Sequence, residues 1–187
     1  MRCRRLGRDE AARDRDRAAN DRRQAAADRQ AAADDLAAEG IDHLTGALRR
    51  RVGLAAIQRE MDRTDRTEEA LVVSFVDVVG LKQVNDVRGH AAGDELLRLV
   101  ATTIRGNLRL YDVVMRYGGD EFVCSLTGVD SAGARDRFAT IAGQLADAPG
   151  SPVISVDLAE RTADEPLGQL ICRADAAMIA GRNGHDN

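Results

Sequence analysis

The stretch Arg116-Tyr117-Gly118-Gly119-Asp120-Glu121-Phe122 sets two glycines and two carboxylates side by side, between the apolar runs Val113-Val114-Met115 and Phe122-Val123-Cys124. The glycine pair is read as the tight connection of a β-hairpin, where positive φ costs glycine little. Backbone without side chains lets a polyanion come close. Two acids beside it tolerate a phosphate only with a divalent cation in between, because the bare charges repel. The expected chemistry is cation-assisted phosphate binding. The plainer reading is a solvated acidic turn, and Gly-Gly-Asp alone does not decide between the two.

The elements that must hold this turn are legible as apolar periodicities. Ala70 to Val78 is a continuous valine-rich run, predicted as a strand buried on both faces, and Asp77 interrupts it near its end. A carboxylate there is costly without a metal or a partner; its alternative role is to cap the short helix that follows. Thr45-Gly46 reads as a turn before a helix whose stripe is Leu54, Ile57 and Met61. Leu96, Leu97, Val100, Ala101, Ile104 and Leu108 mark one face of a helix predicted to begin at Asp94, which would then be its N-cap. Arg109-Leu110-Tyr111-Asp112 ends that helix, with an i,i+3 ion pair as its plain role. Beyond the hairpin come a helix (Ala134, Phe138, Ile141, Leu145), a strand (Val153 to Leu158) and a last helix from Leu167 to about Ala180. His90 reads as a loop or packing histidine, since no second histidine or thiolate has metal-ligand spacing.

The 187 residues suffice for one core and an appendage, and the net charge of −4 argues against a binder of nucleic-acid polymers. Any phosphate must be gripped locally. Of 27 Lys and Arg residues only Lys82 is lysine, which singles out a compact ammonium inside the motif region. Cys3, Cys124 and Cys172 are odd in number and without ligand spacing, as expected of thiols in a reducing, cytoplasmic compartment. No apolar run approaches the ~18 residues of a membrane span, and the N-terminal residues lack a signal-like apolar stretch. Residues 1–39 repeat by sevens (Ala11, Ala18, Ala25, Ala32; Asp14, Asp21, Asp28, Asp35), predicting a helix that ends at Gly40 and is either solvated or a close-packed coiled coil. The organisation expected is therefore this helix over 1–39 and one domain over 40–187.

From about Asp42 onward, Asp42-His43-Leu44-Thr45-Gly46, Asp77, Lys82, Asn85-Asp86, Gly89-His90, Gly93-Asp94, Arg109-x-x-Asp112 and the Gly-Gly-Asp-Glu-Phe turn together resemble the GGDEF family, the diguanylate cyclases. The resemblance implies an α/β sandwich with a mostly antiparallel central sheet, as in nucleotidyl-cyclase catalytic domains. It implies condensation of two GTP into cyclic di-GMP and pyrophosphate by a homodimer, with Mg²⁺ (or Mn²⁺) held by Asp77, the Val78 carbonyl and Asp120 or Glu121. By the same resemblance Asp120, Glu121 and Lys82 serve catalysis. Asn85, Asp94, Gly118, Gly119 and Arg182 bind substrate, with Asn85 and Asp94 suited to a guanine edge. Arg109 and Asp112 match an inhibitory site for cyclic di-GMP. Ala47, Arg49, Val79, Gly80, Leu81 and Asp157 depart from the family pattern, as does Asp186 in a gapless alignment of the tail. The alternative expectation is a catalytically degenerate receptor for cyclic di-GMP or GTP, and a third is a scaffold dimerising through the alanine helix.

Overall fold

A computed structural model describes residues 40–183. The heptad segment 1–39 and Asp186 lie outside the described residues. The elements run β1 (Leu48–Arg49), α1 (Arg50–Thr67), β2 (Leu71–Val79), α2 (Leu81–Arg88), α3 (His90–Asn107), β3 (Val113–Arg116), β4 (Glu121–Thr127), α4 (Ser131–Ala146), β5 (Val153–Glu160) and α5 (Leu167–Asn183).

The valine-rich run becomes β2, flanked by β4 and β5 in a five-stranded sheet of order β1-β3-β4-β2-β5. All pairs are antiparallel except β1 with β3. Eight of the nine β2 residues are buried, because helices cover both faces of the sheet. Alternate side chains of a strand point to opposite faces, and they feed two cores here. Val72, Val76, Val78 and Phe122 pack with Leu97, Val100 and Ile104 of α3 and with Phe138, Ile141 and Leu145 of α4. Leu71, Val73, Phe75, Met115 and Val123 pack with Ile57 and Met61 of α1 and with Leu170, Ile171 and Ala174 of α5. The result is the expected three-layer α/β sandwich with a mostly antiparallel sheet. Burial pushes the Cys124 thiol up to about 12, as befits a core residue, while Cys172 is exposed.

Four local expectations change. The helix α3 starts at His90, not at Asp94: Gly89, at φ 81°, separates it from α2 and occupies the N-cap position, so Asp94 lies inside the helix. No large apolar residue in His90–Gly93 marks that first turn, which is why the stripe alone began too late. The N-cap position of α2 falls to Gly80, not to Asp77. Neither Gly118 nor Gly119 has positive φ, and the four residues Tyr117–Asp120 make a wider loop than a two-residue turn. Finally, α3 ends at Asn107, and Arg109–Asp112 is a loop in which Asp112 pairs with Arg137 rather than with the Arg109 guanidinium.

Candidate active site

The antiparallel register of β2 with β4 sets Asp77 opposite Glu121 on one sheet face. Directly opposed residues have Cβ atoms about 4.5–5.5 Å apart, and like charges at that spacing destabilise a sheet. The pair lies where β2 ends, and the Val78 N–H donates to the Asp120 carbonyl at 3.0 Å, tying that end to the acidic loop. The Val78 carbonyl leaves the strand on the same edge. A Cβ at Gly118 would stand 2.5 Å from Glu121 Oε2, so any side chain there would displace the Glu121 carboxylate from its present position.

Asp120 belongs to the other side. It lines a cleft of about 440 Å³ with Lys82, Asn85, Asp94, Arg116 and Gly119, between α2, α3 and the loop. A Cβ at Gly93 would collide with the Asn85 carboxamide oxygen, so the Gly93-Asp94 step leaves room for the asparagine that faces it. The cleft offers a carboxamide, carboxylates and an ammonium, the groups that read a purine edge and neutralise phosphate. Thus Asn85, Asp94, Lys82, Gly119 and Asp120 are brought together, while Asp77 and Glu121 stand across the sheet end from them. Asp120 is the last residue of the loop and Glu121 the first of β4. Arg182 lies in the last turn of α5.

The residues that position the loop escaped the sequence reading. Arg116 donates to the Gly119 carbonyl through Nη2 at 2.7 Å and to the Asp42 carboxylate through Nη1 at 3.2 and 3.3 Å. Asp42 also accepts from the Thr45 hydroxyl at 2.7 Å and the Thr45 N–H at 3.0 Å. Burial presses the Asp42 carboxyl upward, but these Thr45 and Arg116 contacts outweigh it and leave it below its ordinary value. On the opposite face the Arg50 guanidinium lies 4.0 Å over the Tyr117 ring, and Tyr117 meets Phe75 edge-on at 5.3 Å. The acidic loop is held from both sides.

Mg²⁺ takes oxygen ligands and is commonly held by one or two carboxylates plus substrate phosphates. Two opposed carboxylates beside the Val78 carbonyl fit that demand. Among the described residues no three His, Cys, Asp or Glu side chains converge as a self-sufficient metal cage.

A family profile described as "Diguanylate cyclase, GGDEF domain" matches residues 39–187. This chain belongs to the GGDEF family. Its GGDEF domain is similar to the diguanylate cyclase DosC of Escherichia coli (strain K12), with 35% identity over 156 residues, covering 79% of this chain and 34% of DosC. It is likewise similar to the diguanylate cyclase DgcP of Pseudomonas aeruginosa, at 32% identity, covering 78% of this chain and 23% of DgcP. The chain thus spans about a third or less of the curated relatives it matches. A solved microbial GGDEF domain described in an interaction with cyclic di-GMP superposes with a TM-score of 0.72 at 29% identity, covering 79% of this chain and 92% of the other. The coiled coil and GGDEF domain of DgcB from Caulobacter crescentus superposes at 0.80 with 22% identity, covering 90% and 94%, and at that identity supports the fold alone. Among the described residues of the GGDEF domain no helix is long and apolar enough to cross a membrane.

Proposed function

We propose that this domain is a diguanylate cyclase, condensing two GTP into cyclic di-GMP and two pyrophosphates. The observation that carries the reading is the register that pairs Asp77 with Glu121 where β2 ends, next to the loop whose Gly119 and Asp120 line the cleft with Asn85, Asp94 and Lys82. In each half-reaction the 3′-oxygen of one GTP attacks the α-phosphorus of the other, the bond to pyrophosphate breaks, and the hydroxyl proton is released. The reciprocal attack closes the ring. Each domain binds one GTP, so the ring requires two domains face to face in a homodimer. Asp77, Glu121 and the Val78 carbonyl would hold the ion, and a divalent ion there neutralises the leaving pyrophosphate and acidifies the 3′-hydroxyl. Asn85 and Asp94 accept and donate along guanine, and Lys82 offsets phosphate charge. Asp120, on the cleft side, sits nearer the base-reading set than the carboxylate pair. Arg182 is a further phosphate contact in this reading.

The second reading is a receptor that has lost turnover. It is favoured by Asp157, a half-buried carboxylate where the family pattern has glycine. Incubation with GTP and Mg²⁺ separates the two. Cyclic di-GMP and two equivalents of pyrophosphate support the cyclase, whereas cyclic di-GMP binding without any product supports the receptor.

A further inference from the structure

A groove of about 320 Å³ opens between α1 and α5, on the sheet face that carries Phe75. It is at the lower end of the size range of small-ligand sites. Its walls are Leu54 of α1, Leu167 and Ile171 of α5 and the Tyr117 ring, with the exposed Cys172 beside them. Among the described residues that line it, Arg50 alone carries a charge. Arg50 has no carboxylate partner among the described residues. Its Nη2 donates to the Tyr117 hydroxyl at 2.7 Å and its guanidinium lies 4.0 Å over the Tyr117 ring, a cation–π contact that fixes the plane of the fork. The other N–H groups of that fork have no partner among the described residues. Gly168 adds room, since it lines the groove from α5 and a Cβ there would meet nothing within 4 Å.

We infer that this groove binds a short apolar monocarboxylate, with its chain between Leu54, Leu167 and Ile171 and its carboxylate on the open edge of the Arg50 guanidinium. A guanidinium takes a carboxylate through two parallel N–H bonds, and the attraction is stronger beside apolar walls than in water. One cation and apolar walls do not match a nucleotide, which brings several negative charges and a polar sugar. The occupant would lie against the first residue of the acidic loop, because the Tyr117 N–H donates to the Glu121 carbonyl at 2.8 Å. The site does not depend on the cyclase reading.

The test is thermal unfolding of the whole chain titrated with octanoate, with octanol as the uncharged probe, beside the rate of Cys172 alkylation read by peptide mass spectrometry. A ligand that binds only the folded chain raises its melting temperature. Octanoate should do so saturably and slow Cys172 alkylation severalfold. Octanol should bind at least tenfold more weakly, the loss expected for a missing charge-assisted contact. Arg50→Gln should bring octanoate down to the level of octanol. Gly168→Leu fills the groove from α5 with Arg50 still in place, and should remove the melting response to both probes. Equal affinity for octanoate and octanol in the parent would overturn the inference, as would a response to octanoate that survives Gly168→Leu or the absence of any saturable response.

Discussion

Asp77 and Asp112 are both aspartates buried at the ends of sheet strands, and they stand in opposite electrostatic settings. Asp112 is surrounded by donors: two backbone N–H groups and Arg137 neutralise it inside the domain. Asp77, only 6% exposed, is set in register against the carboxylate of Glu121. A buried charge costs several kcal/mol unless it is compensated. Where compensation comes from the chain itself, the acid serves the fold. In the proposed reading a second acid set opposite marks a place where a cation brought with substrate would offset both charges, and the acid would serve chemistry.

This contrast predicts different failures on removing each charge. Glu121→Gln should lower cyclic di-GMP formation by about 10³-fold or more, because the amide cannot hold the ion as a carboxylate does. A rate near the parent's would put the metal elsewhere. Asp112→Asn should act on stability instead: it leaves Arg137 and a buried N–H poorly matched, a loss of roughly 1.5–3 kcal/mol. Thermal unfolding should then fall by about 4–10 °C, with turnover at low temperature preserved. An unaltered melting temperature would remove Asp112 from the fold's support.

Gly93→Ala probes the cleft between these regions. The added methyl displaces the Asn85 carboxamide, so the KM for GTP should rise about tenfold while kcat changes less. Equal KM values would mean that Asn85 does not read the base. The smallest effect is expected at Asp157, whose carboxyl burial pushes above its ordinary value. Ionising it costs more in the folded than in the unfolded chain, so the penalty is absent below the unfolded pKa and appears as pH rises through the folded one. Asp157→Asn should therefore melt about 1–3 °C higher at pH 7, and the gap should close toward pH 3. A gap that persists in acid would point to packing rather than charge.

Much of this was readable from one sequence because it is written locally. The valine run of β2, the stripes of α1 and α4, and the acidic loop need only near neighbours and a period of two or 3.6. The supports were not readable, because their partners are far apart in the chain. Arg116 meets Asp42 at a separation of 74 residues, and Arg137 meets Asp112 at 25. Charged residues are too common in this sequence for such pairs to be chosen without coordinates. Strand β1, two residues long, carries no periodic signal at all.

The most direct test of the central claim is to measure stability and turnover together in Asp77→Asn. If Asp77 is placed for a cation rather than for the fold, removing one of two opposed charges should lower the melting temperature less than Asp112→Asn does. Mg²⁺-dependent cyclic di-GMP formation should fall by about 10³-fold or more. A melting temperature that drops while turnover persists would contradict the account, because Asp77 would then be a structural acid of the same kind as Asp112.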